Sequence, residues 1–576
     1  MKITLLALFA LMAATFMAGC SQPPAPKSQD ADFEALAGDY IEKLLELNPE
    51  LATTLGDHRY DTRLGDYSQA GFESLLGLYR QTLDKLTQID PAQLSSVNSV
   101  DSRILRTNLE SGIFQLETLR EHEWNPLTYN VGNAVYGLLT REFAPLAERL
   151  THVKERLRAL PGVLEAARKN LKNPPRIHTE TAILQNKGNI TLVRDELQAY
   201  LDKVPQLKSE LVPVQQQAVK ALEEFGTWLE NDLLPRSHGD FRIGEPKFRR
   251  KLRYTLDSDL SLEDVLNRAQ AELAATQKAI HATALPLFRQ YFPGKDAGAP
   301  KAVVKAVLDK LAEQRPDNRT IVDQARRDLE ETTQFVRESR LVTVPDEPIK
   351  IIVMPEFQRG VAVAYCDSAG PLEKNGETFY AIAPTPVDWT PGRVQSFFRE
   401  YNNYMLKELT IHEAMPGHYL QLMHSNKFKA PTMVRAIFSS GPFVEGWACY
   451  AEQIMAEKGY SGAEVKMQQL KMRLRLIINA ILDQKIHIAG MSEQEAMDLM
   501  MNEGYQEEGE AAGKWRRACL TSTQLSTYFV GTVELNEIRK AYEAKHGSIQ
   551  DVQAFHDRML SFGSPPARYV KELMGL

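Results

Sequence analysis

Two histidines in one short segment are the clearest candidates for metal chemistry in this sequence. Residues 412–418 read HEAMPGH, so His412 and His418 lie six positions apart and Glu413 directly follows the first of them. Imidazole nitrogens are common zinc ligands, and zinc hydrolases use two histidines of one helix together with a neighbouring glutamate. The segment therefore predicts a zinc site that includes both histidines.

The six-residue spacing conflicts with a regular helix. Ligands four residues apart share a helix face, whereas a step of six residues turns the second ring by about 240° and places it on another face. Pro416 cannot donate a backbone hydrogen bond to the carbonyl of His412, and Gly417 tolerates unusual backbone angles. We therefore expect a local bulge at Pro416 and Gly417 that turns His418 back toward His412.

A third ligand is expected from the segment that follows Pro442. Residues 443–452 (FVEGWACYAE) begin a predicted helix in which Glu445, Cys449 and Glu452 are spaced i, i+4 and i+7 and share one face. Glu445, near the helix start, is the predicted ligand, and Glu452 is predicted to hold a ligand imidazole through its second nitrogen. Cys449 is an alternative ligand, although a small packed residue is the favoured interpretation.

The two motifs together resemble a known family. HEAMPGHYLQ followed by FVEGWACYAE is similar to the signature of the bacterial lipoproteins and relatives grouped as domain-of-unknown-function family 885. Residues 48–64, 360–383 and 523–531 also resemble blocks of this family, so the likeness covers most of the chain. The resemblance implies a zinc metallopeptidase of the gluzincin type, with His412, His418 and Glu445 as metal ligands and Glu413 as the catalytic carboxylate.

A peptidase of this plan also needs a donor for the oxyanion that develops on the attacked carbonyl. Glu413 would take a proton from water and pass it to the departing amine. Tyr528 lies in a stretch that matches the family and is the predicted oxyanion donor, with Arg516 and Arg517 as the alternatives. The competing interpretation places Tyr528 in the core, with its hydroxyl bonded to the backbone.

The elements that must position these residues are mainly helical. Apolar residues recur every three or four positions from residue 31 to 340, with a capping box expected at residues 261–264 and a helix break at Pro213. Residues 349–353, 360–365 and 378–383 are predicted strands, and residues 374–376 (KNG) a hairpin-type turn. We therefore predict a mainly α fold, a large multi-helix assembly around a cleft, with a small β-sheet preceding the metal-binding helix.

The N-terminus resembles a bacterial lipoprotein signal. The apolar run of residues 3–17 is too short to cross a bilayer and leads through Ala18 and Gly19 into Cys20. We expect cleavage before Cys20, lipid attachment to its thiol and, from Ser21, outer-membrane anchoring that faces the periplasm. An ordinary secretory signal with a chance cysteine is the alternative.

The predicted organisation follows from these boundaries. It comprises a signal peptide (1–19), a tether (20–31), a helical N-terminal region (32–340) and a catalytic region (341–576) that contains the sheet (348–385), the metal helices (393–460) and the C-terminal helices.

Composition excludes several protein classes. The chain has 576 residues, 43% hydrophobic and 25% charged, with a net charge of −7, which is typical of globular proteins and gives no attraction to nucleic acid. The only basic run, residues 247–253, is interpreted as a solvated helix face. No CxxC pair exists, so a cysteine zinc ribbon is excluded, while one disulfide among Cys366, Cys449 and Cys519 remains open.

The sequence thus predicts a lipid-anchored zinc peptidase. Oligopeptides are the expected substrates, because the helical half would wall off the cleft while the strands bind an extended chain by edge pairing. The competing hypothesis is a catalytically inactive, lipid-anchored binding protein that keeps the fold. Membrane contact is expected only through the N-terminal lipid, and the oligomeric state is not indicated.

Overall fold

The computed structural model describes residues 28–354, 363–373, 376–387 and 389–576. The expected signal peptide and the lipidation site Cys20 lie outside the described residues. Within the described chain, no helix is both long and apolar enough to cross a membrane.

Helices dominate the described chain, which confirms the predicted mainly α fold. The helices before the sheet are α1 (Asp30–Leu47), α2 (Pro49–Leu55), α3 (Gln69–Leu86), α4 (Ser96–Phe114), α5 (Gly132–Thr140), α6 (Leu146–Asn170), α7 (Arg176–Thr191), α8 (Leu197–Leu201), α9 (Lys208–Trp228), α10 (Glu245–Leu256), α11 (Leu262–Tyr291), α12 (Pro300–Leu311) and α13 (Ile321–Glu338). The strands are β1 (Ile349–Val353), β2 (Ala364–Asp367) and β3 (Thr378–Ile382). The helices after the sheet are α14 (Pro391–Glu400), α15 (Asn403–Glu413), α16 (His418–Lys427), α17 (Val434–Ile437), α18 (Gly441–Glu457), α19 (Gly462–Ala489), α20 (Glu493–Asp498), α21 (Glu508–Leu520), α22 (Ser526–His546), α23 (Val552–Leu560) and α24 (Ala567–Leu573).

Helix α11 shows how local sequence sets a helix boundary. The Ser261 hydroxyl accepts the backbone N–H of Asp264, and the Asp264 carboxylate accepts the backbone N–H of Ser261, which confirms the predicted capping box. The break expected at Pro213 is wrong, because Pro213 lies inside α9. The proline removes one backbone hydrogen bond, to the carbonyl four residues earlier, and the buried face of α9 keeps the helix continuous.

The three strands form one sheet in the order β1-β3-β2, with β1 parallel and β2 antiparallel to β3. The strand predicted at residues 360–365 is observed two to four residues later, as β2. Residues 360–362 of this prediction, and residues 374 and 375 of the expected turn, lie outside the described residues. Tyr380 of β3 is buried and its hydroxyl lies 3.2 Å from the Thr410 hydroxyl of α15. The sheet is thereby joined to the helix that carries His412.

Several buried cores combine residues from both sides of residue 340. One core packs Phe33 of α1 against Val434 of α17 and Tyr569 of α24. Another packs Phe248 of α10 with Ile477 of α19. A further core lies wholly within residues 129–233. The change at residue 340 is therefore a change in secondary structure that several cores span.

Candidate metal centre

The backbone between the two histidines is a tight loop between two helices. Helix α15 ends at Glu413 and α16 begins at His418, so the expected bulge within a continuous helix is wrong. Pro416 has no N–H with which to continue the α15 hydrogen-bond ladder. Instead the N–H of Gly417 donates to the carbonyl of Ile411 at 2.8 Å and folds the chain back onto the end of α15.

This loop brings the two histidine rings together. A Cβ on Gly417 would lie 1.9 Å from the carbonyl oxygen of His412, so only glycine fits the close approach. The indole N–H of Trp447 donates to the carbonyl of Pro416 at 2.8 Å and fixes the loop from α18. The rings of His412 and His418 lie edge to face, with centroids 4.7 Å apart.

Glu445 completes a set of three donors. Its Oε2 lies 3.7 Å from Nε2 of His412 and 3.4 Å from Nε2 of His418. Two ligand atoms at about 2.0–2.1 Å from one tetrahedral zinc ion are separated by about 3.3 Å. Oε2 of Glu445 is buried and has no hydrogen-bond partner among the described residues. The donor set therefore fits a zinc ion.

The charges around these donors favour a cation between them. Burial alone would raise the pKa of Glu445, but contacts with His412 and His418 outweigh it and lower that pKa. Burial would likewise lower the pKa of His412, yet its contacts with Cys449, Glu445 and Glu452 raise that pKa well above its ordinary value. The carboxylates thus stabilise positive charge at this point.

Glu452 fixes the orientation of the first histidine. Nδ1–H of His412 donates to Oε1 of Glu452 at 2.6 Å, which leaves Nε2 directed toward Glu445. A second donor group, His412 with Cys449 and Glu452, also clusters closely. That group fits a metal less well, because Nδ1 is already engaged, and burial and the Glu452 charge raise the pKa of the Cys449 thiol to about 12.

Glu408 is a further buried carboxyl that the sequence reasoning missed. Burial, followed by the charge of Glu452, raises the pKa of Glu408 well above its ordinary value. The raised pKa favours the neutral form of Glu408. Both oxygens of Glu408 and Oε2 of Glu452 are buried without a hydrogen-bond partner among the described residues. Its position four residues before His412, on the same helix face, is the signal that could have identified it.

The sheet positions the carboxylate that follows the first histidine. The backbone N–H of Cys366 in β2 donates to Oε2 of Glu413 at 3.0 Å. β2 is an outer strand of the sheet, so part of the edge expected to bind peptide is occupied by Glu413. Among the described residues, Cys366, Cys449 and Cys519 are free thiols.

A cavity of about 200 Å³ opens beside these groups. His412, Glu413 and Tyr528 line it together with Lys514 and Arg517 of α21. The sequence did not predict that Lys514 contributes to this cavity. Arg516, an alternative candidate for the oxyanion donor, instead bonds the Thr181 hydroxyl on the other side of α21.

The hydroxyl of Tyr528 faces side chains rather than the backbone. It accepts hydrogen bonds from Nη2 of Arg517 at 2.9 Å and from Nε2 of Gln524 at 3.4 Å. Burial and the charge of Glu445 raise the pKa of Tyr528 to about 12, so the hydroxyl keeps its proton at neutral pH. Tyr528 can therefore donate a hydrogen bond into the cavity.

Comparisons with known proteins show the family to which this chain belongs. The sequence profile of a bacterial protein family of unknown function, DUF885, matches residues 49–574. The solved structure of a proposed lipoprotein of unknown function from Shewanella oneidensis is 32% identical in sequence, with a TM-score of 0.79. This match covers 94% of the present chain and 100% of the Shewanella chain. A proposed lipoprotein from Colwellia psychrerythraea shares the fold at 17% identity, with a TM-score of 0.76 over 95% of this chain and 99% of its own. No curated protein is significantly similar. The chain belongs to the DUF885 family.

Proposed function

We propose that this protein is a zinc-dependent peptidase that hydrolyses peptide bonds of oligopeptides. The observation that carries the proposal is the convergence of donor atoms from His412, His418 and Glu445 within 4.8 Å of one another. Zinc held by these residues would supply Lewis acidity and lower the pKa of a water molecule toward neutrality.

The side chains around the donors suit amide hydrolysis. Cys366 holds Oε2 of Glu413, which leaves the other carboxylate oxygen to accept the proton of the attacking water. As the new C–O bond forms, the Tyr528 hydroxyl donates a hydrogen bond to the oxyanion. Glu413 then gives its proton to the departing amine as the C–N bond breaks.

Attachment to the cell envelope forms part of the proposal. Cys20 follows Ala18 and Gly19 at the end of the apolar run, and the Shewanella oneidensis relative is proposed to be a lipoprotein. Ser21 favours the outer membrane, with the enzyme facing the periplasm. Cys20→Ser should move the protein from the membrane fraction to the soluble fraction, whereas unchanged membrane association would contradict the anchor.

Zinc analysis combined with peptide hydrolysis tests the catalytic proposal. The purified full chain should contain about one zinc ion and cleave a mixed peptide library, as read by mass spectrometry. His418→Ala should lose zinc, and Glu413→Gln should keep zinc but lose orders of magnitude in turnover, because an amide cannot accept the proton. Zinc without hydrolysis would favour the inactive binding protein instead, and the absence of zinc would contradict the metal site.

A further inference from the structure

Helix α21 presents an unusual set of residues to the cavity beside the metal centre. Glu510, Gly513, Lys514 and Arg517 line the cavity and recur at the spacing of one helix face. A Cβ on Gly513 would meet nothing within 4 Å, so the glycine leaves open space on this wall. Glycine inside a helix lowers stability, and the open space beside Lys514 is suited to a ligand.

Neither cation on this face forms an ion pair with a described residue. Glu510 is paired with Arg475 at 3.6 Å and accepts a hydrogen bond from the Tyr401 hydroxyl at 2.8 Å. Among the described residues, no carboxylate lies within the 4.0 Å ion-pair distance of Lys514 or Arg517. Two neighbouring cations in one half-buried cavity, neither of them held in an ion pair within the described residues, create a site for an anion.

We propose that Lys514 and Arg517 bind the C-terminal carboxylate of a peptide, so that the enzyme acts as a carboxypeptidase. The inference rests on the proposed peptidase function and specifies its substrate class. The α-carboxylate of a peptide is a planar anion that ammonium and guanidinium groups recognise by charge-assisted hydrogen bonds. Arg517 uses Nη2 for Gln524 and Tyr528 and keeps its other N–H groups for the substrate.

Buried charges line another part of the same cavity. Arg475 and Glu400 form an ion pair between α19 and α14, so the charge of Arg475 is already compensated. Lys514 and Arg517 therefore remain to receive a carboxylate. A C-terminal carboxylate and an acidic side chain share this chemistry, and matched peptides distinguish them.

Electrostatics support an anion at this position. Lys514 and Arg517 line the same cavity as His412, and the charge of Glu445 acts on both cations. Burial and the neighbouring Arg517 lower the pKa of Lys514 to about 7. A bound carboxylate would offset the repulsion between the two cations and stabilise the protonated lysine.

Matched peptides test the inference on the zinc-loaded full chain. A peptide that the library shows to be cleaved is compared as the free acid, as the C-terminal amide and as an amide extended by glutamate. We expect kcat/KM for the acid to exceed that for both amides by about 100-fold. Lys514→Met should lower kcat/KM for the acid by about 30-fold or more, mainly through KM, and thereby reduce the preference for the acid over the amides.

Two control variants separate charge from structure. Lys514→Arg should restore most of the preference for the acid, and Lys540→Met, at an exposed lysine of α22, should retain all of it. Equal cleavage of acid and amide would overturn the carboxylate subsite while the peptidase stands. Cleavage of the glutamate amide at the rate of the acid would show recognition of an acidic side chain and would also overturn the assignment.

A binding measurement distinguishes failure of the inference from failure of the proposed function. Calorimetry with zinc-loaded Glu413→Gln measures the affinity for the same peptides without turnover. Tighter binding of the acid than of the amide, lost in a Glu413→Gln, Lys514→Met double variant, supports the subsite even if the wild type hydrolyses nothing. Equal affinity for acid and amide overturns it.

Discussion

Gly446 of α18 and Gly531 of α22 face each other in direct backbone contact. A Cβ on Gly446 would lie 2.4 Å from the carbonyl carbon of Gly531, and a Cβ on Gly531 would lie 1.8 Å from the carbonyl oxygen of Pro442. Gly446 adjoins the candidate ligand Glu445, and Gly531 lies about one turn after Tyr528. The contact therefore fixes the distance between the metal donors and the candidate oxyanion donor.

Gly531→Ala should disturb both stability and activity. The added methyl group cannot be accommodated without moving α18 and α22 apart, and overpacking of this kind costs about 1–3 kcal/mol. We expect a lower free energy of unfolding in urea and reduced turnover, because Tyr528 moves away from Glu445.

A second glycine provides the control for this prediction. Gly162 lies inside α6, where an added methyl group would meet no other atom within 4 Å. Gly162→Ala should therefore raise the free energy of unfolding by about 0.5–1 kcal/mol through helix propensity. A Gly531→Ala protein as stable and as active as the wild type would contradict the proposed role of the contact.

Gly417→Ala should weaken the metal centre itself. The new methyl group would overlap the carbonyl oxygen of His412, so the loop must open and His418 must move away from His412. Bound zinc, measured by mass spectrometry of the metal after dialysis, should fall well below one ion per chain. Full zinc occupancy together with normal turnover would show that the loop does not depend on glycine.

Glu452 and Glu408 should respond differently to the same substitution. Glu452→Gln removes the charge that holds Nδ1–H of His412, and loss of such a partner lowers metal affinity by about 10–100-fold. Glu408→Gln replaces a neutral carboxyl with a neutral amide and should keep zinc affinity close to that of the wild type. Competition with a zinc chelator measures both, and equal losses would contradict a neutral Glu408.

Tyr528→Phe tests the oxyanion donor. Removal of the hydroxyl should lower turnover by about 10²–10³ while zinc content and stability stay unchanged. Tyr542→Phe, at the other end of α22, is the matched control and should retain turnover. Wild-type turnover in Tyr528→Phe would return this residue to a packing role and leave Arg517 as the next candidate.

Residue spacing indicated the candidate donors His412, His418 and Glu445 because they lie on short local elements, and their role as zinc ligands stays a prediction. Glu445 and Glu452 share a face of one helix, and Pro416 and Gly417 indicate that the chain between the histidines is irregular. The form of that irregularity was not predictable, since a bulge and a break both follow from a missing N–H.

Contacts between distant segments could not be predicted in the same way. Cys366 and Glu413 lie 47 positions apart in the chain, and their hydrogen bond depends on how the sheet packs against α15. Helical periodicity identifies a buried face but not its partner, so the position of Lys514 beside the metal donors was not foreseen. The predicted helix break at Pro213 is wrong because the packing of α9 and its remaining hydrogen bonds outweigh the one hydrogen bond that proline removes.

The buried histidine His556 links stability to pH behind the metal centre. Its Nδ1–H donates to the carbonyl of Leu341 at 2.7 Å, and its Nε2 accepts the hydroxyl of Tyr450 at 3.1 Å. The ring also packs edge to face against Trp447, which holds the loop between the two ligand histidines. Burial lowers the pKa of His556 to about 4, so the folded protein keeps this ring neutral.

Stability should therefore fall as the pH is lowered. Below the ordinary histidine pKa of about 6.5, His556 of the unfolded chain binds a proton, whereas His556 of the folded protein stays neutral until the pH approaches 4. The free energy of unfolding therefore falls between these pH values, and the full loss is about 3 kcal/mol. His556→Asn keeps a donor for Leu341 but cannot titrate. It should be less stable than the wild type at pH 7 yet lose about 2.5 kcal/mol less between pH 7 and pH 4.5, as measured by urea unfolding. His178, whose pKa burial also lowers to about 4, is present in both proteins and cancels in the comparison. Parallel pH profiles for the two proteins would show that His556 does not carry this dependence.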